Sequence, residues 1–355
     1  MRRYMGKMVA VWLASLLLML CVTGCVKESG EGEKKKSSDS DKIQIGMCFD
    51  SFVIERWQRD RDVFVSMAKD LGAEVNVQNA NGDIEEQKKQ IDYFIKNGMD
   101  AIVIVCIDSN SLRDSVKKAR EEGIVVIAYD RLISDAGVDL YISFDNEKVG
   151  AMMAQTMVDN GLADGKVIMI CGSPSDSNVS FVEKGFRSVM TRYRNEIVDT
   201  VYADGWRAEK ASEYIYKNTG LVRETDAIMC GNDDIASNVV RALSERRLAG
   251  ELMVAGQDAD LEACQRIVEG TQLMTVYKPI EKLAQAAAIC AVKLVKGEEI
   301  TEYDISDISD GSKMVPYLKI EPTSVTRNNI DEVIIKSGFH LKEDVYLNVP
   351  DQMPN

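Results

Sequence analysis

Residues Ile124–Gly150 read IVVIAYDRLISDAGVDLYISFDNEKVG. Two apolar, β-rich runs, Ile124–Tyr129 and Leu140–Phe144, stop abruptly at charged or amide side chains. Asp130–Arg131 ends the first and Asp145–Asn146 the second. Buried strands followed at once by polar groups suit the rim of an open α/β sheet, where ligands bind beyond the carboxyl ends of strands.

Upstream, the same alternation starts at Lys42. Strands are predicted at Ile43–Phe49, Glu74–Gln78 and Ala101–Ile107, with helices at Ile54–Leu71, Asp83–Asn97 and Ser109–Glu122. Gly72, Gly98 and Gly123 stand where helix C-caps are expected. Downstream the rhythm restarts. Strands are predicted at Lys166–Cys171, Ile197–Tyr202, Ala227–Cys230, Leu252–Ala255 and Gln272–Tyr277, with a last long helix at Ile280–Lys296. A βαβα rhythm means parallel sheets covered by helices, and two successive runs imply two similar lobes. From Gly297 the periodicity fades. Asp304, Asp307 and Asp310 precede Gly311 at a spacing of three, whereas a calcium loop needs two, so that stretch reads as a solvated loop.

The chain has 355 residues, 45% hydrophobic and 28% charged, with a formal charge of −14. That composition is globular and the length suits about two domains. So acidic a chain is repelled by nucleic acid and by anionic surfaces. Residues 1–24 read as a targeting segment: Arg2, Arg3 and Lys7 precede an apolar run, Met8–Val22, of about fifteen residues, the length of a signal core rather than a span. The run ends in Val22-Thr23-Gly24-Cys25, which resembles the lipobox of bacterial lipoproteins and implies lipidation of Cys25. Residues 25–41 then form a polar tether too hydrophilic to bury a core. Together these features place the folded part outside the cell membrane, anchored by lipid. Beyond the signal and Cys25, six cysteines are scattered through strand and helix patterns with no CxxC pair, as buried apolar residues would be.

Enzyme chemistry finds little support. His340 is the only histidine, no GxGxxG occurs, and GLADGK at Gly161–Lys166 lacks the spacing and hydroxyl of a phosphate loop. Neither a metal nor a cofactor is expected. What remains are the strand ends: Asp50, Arg56-Trp57, Asn79, Asp108, Asp130-Arg131 and Asp145-Asn146, then Ser173, Asp204-Gly205-Trp206, Asn232-Asp233, Gln257-Asp258 and Lys278. Asp145, Asn232 and Asp258 could equally be helix N-caps. Arginine and lysine only donate hydrogen bonds, carboxylates only accept, and asparagine does both. A sugar hydroxyl also does both, and the roughly balanced charges suit a neutral ligand. Outside the signal there are two tryptophans, Trp57 and Trp206, one per lobe, each at a strand-end loop. Two indoles could clamp a flat ring as lobes close.

The motifs IERWQRDRDVF, AYDRLISDA, LYISFDNEKVG, ADGW, GNDDIAS, GQDADL and TVYKPI resemble those of the periplasmic sugar-binding proteins of ATP-driven importers, and the likeness runs from Ile43 to Tyr346. The resemblance implies a type I periplasmic-binding-protein fold, two doubly wound parallel-sheet lobes joined by a three-segment hinge. The crossovers would fall near Asn146, Lys278 and Val315–Lys319. The first lobe would then comprise 42–146 plus 278–315 and the second 147–277 plus 316–355. It implies that Arg56, Arg131, Asp145 or Asn146, Asn232, Asp258 and Lys278 hydrogen-bond the ligand, with Trp57 and Trp206 stacking on it; Asp130, beside Arg131, offers an acceptor. D-xylose or a similar monosaccharide is the implied ligand, a membrane permease of the importer the implied partner, and a monomer the expected state. A membrane sensor kinase is the alternative partner. Gly231-Asn232-Asp233-Asp234 and Phe49-Asp50-Ser51 depart from the family pattern, which bears on sugar preference.

Overall fold

A computed structural model describes residues 42–54 and 56–354. The targeting segment, the tether and Cys25 lie outside the described residues.

Two sheets organise the chain. The first has seven strands in the order β11-β12-β5-β4-β3-β1-β2. They are β1 (Gln44–Phe49), β2 (Glu74–Asn79), β3 (Ala101–Ile104), β4 (Val125–Tyr129), β5 (Leu140–Phe144), β11 (Ile305–Ser309) and β12 (Met314–Ile320). The second has six, in the order β13-β10-β9-β8-β6-β7. These are β6 (Lys166–Cys171), β7 (Glu196–Tyr202), β8 (Ala227–Cys230), β9 (Met253–Ala255), β10 (Met274–Tyr277) and β13 (Thr323–Thr326). Pairing is parallel except at one edge of each sheet, where β11 runs antiparallel to β12 and β13 to β10.

The sequence explains why both faces are covered. Every residue of β3 (AIVI) and β5 (LYISF) is buried, as continuous apolar strands of parallel sheets must be. Successive side chains point to opposite faces. In β1, Ile45, Met47 and Phe49 enter one core while Cys48 enters the other. In β6, Val167 and Met169 face one core and Ile168 and Ile170 the opposite one.

Helices cover these faces: α1 (Arg56–Asp70), α2 (Ile84–Lys96), α3 (Arg113–Glu121), α4 (Asn146–Asp159), α5 (Ser177–Arg192), α6 (Glu209–Lys217), α7 (Thr219–Val222), α8 (Asp233–Glu245), α9 (Leu261–Glu269), α10 (Ile280–Lys296) and α11 (Lys342–Val345). Gly72, Gly98 and Gly123 all hold positive φ after their helices, as C-caps do. The six cysteines of the described region are buried and free. No helix among the described residues is long and apolar enough to cross a membrane.

The chain leaves the first sheet after β5 and returns after β10, where the alanine-rich α10 packs against α1 in the first core. The third crossover differs from expectation. β12 pairs with β5 from Tyr317↔Tyr141 to Ile320↔Phe144, so the chain stays in the first lobe through Ile320 rather than crossing near Val315–Lys319. Val315 and Leu318 are buried in that lobe, which is why the strand cannot be shared. The stretch read as a solvated loop is also ordered: Asp304 and Gly311 flank β11, and Asp310 closes the β11–β12 turn. One Asp310 oxygen accepts from the Ser312 and Lys313 amides and the other from the Gly137 amide at 2.7 Å. β11 is mostly exposed, and β12 contains Pro316. Neither therefore displays the apolar run by which the other strands were read.

Candidate functional site

Both sheets share one winding. The order β2-β1-β3-β4-β5 recurs as β7-β6-β8-β9-β10, so each lobe reverses direction between its first and third strands. Ligands of open α/β sheets bind outside such a switch point. The two switch points face each other across a cavity lined by Ile54, Arg56, Trp57, Asp130, Arg131, Asp176, Asn178, Trp206, Gln257, Asp258 and Lys278.

From the first lobe, α1 begins at Arg56 and Trp57. Arg56 is held by Asp60 through two bonds of 3.2 Å and reaches Asp130 at 2.9 Å. Asp60 also accepts from the Tyr129 hydroxyl. Trp57 is only 1% exposed and belongs to the first-lobe core as much as to the cavity. Asp130, at the end of β4, adopts φ 65°, a conformation that aspartate tolerates better than most residues. Its carbonyl accepts from Ser143 at 2.6 Å and Tyr141 at 3.2 Å. Arg131 donates to Asp50 at 2.7 Å and to the Cys106 carbonyl at 2.9 Å.

From the second lobe, Asp176 caps α5 by accepting from the Asn178 amide, and its other oxygen accepts from the Trp206 indole at 3.2 Å. Trp206 lies across Gly172, where a Cβ would sit 2.2 Å from the indole. Only glycine lets the ring lie there. Asp258 has φ 100° and Ala259 φ 56°, so the backbone is strained at this part of the rim, as it often is at functional sites. Lys278, directly after β10, stands 2.8 Å from Asp258.

The lobes touch directly. Asn178 donates to Asp130 at 2.9 Å, and Arg131 Nε lies 2.7 Å from Asp176. The Ser109 amide donates to the Ser175 carbonyl at 3.0 Å, and the Leu132 amide to the Ser177 hydroxyl at 2.9 Å.

Electrostatics define what fits. Arg56, Arg131 and Lys278 each pair with at least one buried carboxylate, so no cation lining the cavity is free for an anionic ligand. Burial pushes Asp130 up, but Arg56, Lys278 and Arg131 outweigh it and hold that carboxyl below the usual range. At Asp60 and Asp176 burial wins over the arginines and the carboxyls are raised. Among the described residues, eight buried side-chain polar atoms lack a hydrogen-bond partner, and five of them belong to cavity residues. They are three donors (Trp57 Nε1, Arg131 Nε and Nη2) and two acceptors (Gln257 Oε1 and Asp258 Oδ1). Arg131 Nε and Asp258 Oδ1 have ionic neighbours but lack hydrogen-bond alignment. Buried polar groups are rarely left so, and a mixed set of donors and acceptors matches hydroxyls.

Of the residues expected at the site, Arg56, Trp57, Asp130, Arg131, Trp206, Asp258 and Lys278 converge on the cavity. Three do not line it. Asp145 caps α4 through the Lys148 amide and pairs with Lys319 at 3.0 Å. Asn232 caps α8 through the Ile235 amide. Asn146 stands behind Asn178, donating to it at 2.9 Å and to Ser143 at 3.1 Å. For Asp145 and Asn232 the capping role prevailed, because orphan helix amides claim the nearest oxygen. Sequence reasoning missed Asp176 and Asn178. The polar run Ser173–Asn178 after β6 was their signal, but they stand beyond the strand end rather than at it. No group of residues suited to a metal occurs among the described residues.

Two doubly wound lobes that meet over a polar cavity lined by Trp57 and Trp206 define a two-lobed ligand-binding protein. The chain belongs to the periplasmic binding protein family: the model of the periplasmic binding protein domain matches residues 45–299, and the fold is the type I fold of that family. It is 42% identical over 316 residues to the D-xylose-binding periplasmic protein of Haemophilus influenzae, covering 87% of this chain and 94% of that protein. It is 40% identical over 339 residues to the D-xylose-binding periplasmic protein of Escherichia coli, covering 94% and 99%. Among solved structures, an ABC transporter solute binding protein from Clostridium phytofermentans with bound β-D-glucose superposes with a TM-score of 0.76 at 28% identity, covering 85% of this chain and 99% of that one.

Proposed function

We propose that this chain is an extracytoplasmic solute-binding lipoprotein that captures D-xylose and delivers it to the permease of an ATP-driven importer. The observation that carries this reading is the mixed set of donors and acceptors that lines the interlobe cavity together with two indoles, among which Trp57 Nε1, Arg131 Nη2 and Gln257 Oε1 have no partner. The identity to two D-xylose-binding relatives supports the choice of sugar. Arg56, Asp130, Arg131, Asp176, Asn178, Asp258 and Lys278 hydrogen-bond the hydroxyls, with Gln257 adding an acceptor. Trp57 and Trp206 cover the ring faces. Asn146 aligns Asn178, and Asn232 and Asp145 shape the rim. The chain binds and releases its ligand unchanged; it is not an enzyme. Lipidation of Cys25 keeps the binder at the outer face of the membrane, within reach of the permease.

Paired charges hold the arginines in fixed directions, so each hydroxyl meets a preset partner. A site built in that way rejects an analogue with a misplaced hydroxyl by factors on the order of 10⁴ in favourable cases. Thermal unfolding with a sugar panel tests the reading. D-xylose at ~100 times its Kd should add ~2.7 kcal/mol of stability. A shift with D-ribose or D-glucose and none with D-xylose would overturn the choice of sugar. Cys25→Ala should release the protein from membranes, and persistent attachment would refute the anchor.

A further inference from the structure

Asp233 is fully buried, yet it does not line the cavity. It stands at the start of α8, and it ties three segments together. Its Oδ1 accepts from Gln272 at 2.9 Å. Its Oδ2 accepts from the Thr275 hydroxyl at 2.6 Å and from the Asp260 amide at 3.2 Å. Its own amide donates to the Gln257 carbonyl at 2.9 Å, and its carbonyl accepts from Ser237 and Arg266. Every one of these bonds reaches the loop after β9, β10 and the segment leading into it, or α9 and α8 beside them.

The loop after β9 is the segment that carries Asp258. Gly256, just before it, passes so close that a Cβ would lie 2.1 Å from Asp233 Oδ1. Two residues in succession, Asp258 and Ala259, then take positive φ. Side chains avoid that conformation unless the surroundings impose it. Here the imposed bonds are identifiable. The Ala259 amide donates to Thr275 Oγ1 at 3.2 Å, and that hydroxyl in turn donates to Asp233. The Asp260 amide donates to Asp233 directly. The left-handed pair is therefore held on both sides: Ala259 and Asp260 are fastened to the Asp233 carboxylate, through one hydroxyl and directly, and Gln257 to the Asp233 main-chain amide. The result aims Asp258 at Lys278, 2.8 Å away, and at Arg56, 3.9 Å away in the other lobe.

A buried carboxylate is a costly way to hold a loop. Burial pushes the Asp233 carboxyl up to about 7, against the pull of Thr275, Arg266 and Gln272. Well-packed apolar groups commonly serve folding as well as a buried charge does. What apolar packing cannot do is accept three hydrogen bonds from set directions.

We propose that Asp233 is a positioning residue for ligand binding: it holds the Gln257–Asp260 loop in its left-handed conformation and so presents the Asp258 carboxylate to the sugar. This assignment rests on the sugar-binding reading above. The test is a double-mutant cycle read by calorimetric titration with D-xylose. Asp233→Asn keeps one acceptor oxygen and turns the other into a donor that opposes the Gln272, Thr275 and Asp260 donors, and should raise Kd about tenfold in the wild-type background. In an Asp258→Asn background the same change should cost less than about twofold, because its effect is transmitted through Asp258. Thr275→Val removes the relay to Ala259 with little change of shape and should show the same dependence on Asp258, which keeps the test open if Asp233→Asn folds poorly. A carboxylate serving only stability would lower the unfolding midpoint and leave Kd unchanged, or weaken binding equally in both backgrounds; either result overturns the proposal. A wild-type chain that gives no heat with D-xylose, D-ribose or D-glucose overturns the sugar-binding reading and this assignment with it. A wild type that binds while both variants act independently of Asp258 overturns this assignment alone.

Discussion

The two lobes share a strand order, yet they hold their cavity residues by different means. In the first lobe the groups are charged and mutually paired. Asp60 fixes Arg56, Asp50 and the Cys106 carbonyl fix Arg131, and Trp57 is embedded in the core. In the second lobe the backbone does the positioning. Asp176 is placed by a helix cap, Trp206 by the bare surface of Gly172, and Asp258 by a left-handed loop. The first lobe is thus a preset charge cluster, and the second is a shaped wall. A cluster whose members stabilise one another cannot lose one member cheaply. A wall can lose a side chain and remain folded.

The largest test of that contrast is Arg131→Met. It would strand Asp50 and Asp176 in a buried site, and breaking a buried pair in this way costs about 3–5 kcal/mol. Urea unfolding should show that loss together with abolished D-xylose binding. A stability change under 1 kcal/mol, by the same order-of-magnitude rule, would deny that the first-lobe cluster is mutually dependent.

The two tryptophans come next, because they should separate stability from affinity. Trp57→Ala empties a packed core position and should cost about 3–5 kcal/mol of stability as well as binding. Trp206 is half-buried over Gly172. Trp206→Ala should weaken D-xylose binding by about tenfold or more, equivalent to losing ~1.4 kcal/mol, while lowering stability by less than Trp57→Ala does. Equal stability losses would erase the distinction between the lobes.

Asp145→Ala should be milder. It removes a cap, worth about 1 kcal/mol, and leaves affinity for D-xylose within about twofold, since Asp145 faces Lys319 and the first turn of α4. A large affinity loss would return Asp145 to the cleft.

The smallest expected effect is one of pH. Arg56, Lys278 and Arg131 hold the Asp130 carboxyl below its unfolded value of about 3.9 despite its burial. A lowered value means that the ionised form stabilises the fold above the unfolded pKa, and that this contribution fades as pH falls through the lower, folded value. The stability advantage of the wild type over Asp130→Asn should therefore hold from neutral pH to about 5 and shrink below about 4. Thermal unfolding across that range measures it. An advantage that grows in acid would reverse the sign.

Much of this was legible in order along the chain. The apolar runs of β1, β3, β4, β5, β6 and β8 stood out because both faces of a parallel strand are buried, so such strands carry few polar residues to blur them. Cavity residues directly after a strand, such as Asp130, Arg131, Asp258 and Lys278, were legible by the same rule. β11, β12 and β13 were not. β11 is exposed, β12 mixes exposed with buried residues and contains Pro316, and β13 is a short edge strand, and β12 and β13 take their places from partner strands far away in sequence. Asp176 and Asn178 were missed because only the fold of the loop after β6 brings them back to the rim.

The sequence by itself determined the class of fold, the pairing of two lobes, and the mixture of donors, acceptors and indoles at their strand ends. These follow from local periodicity, which hydrophobic burial imposes residue by residue. Only the tertiary structure decided which polar residues line the cavity and which only cap helices, because Asp145, Asp176 and Asp258 are the same side chain, and an oxygen of Asn232 caps as readily as theirs. It also decided where the third crossover falls. A capping oxygen and a ligand-binding oxygen differ only in what the opposing lobe places before them, and that is settled by packing between segments more than a hundred residues apart, as where Arg56 meets Asp258.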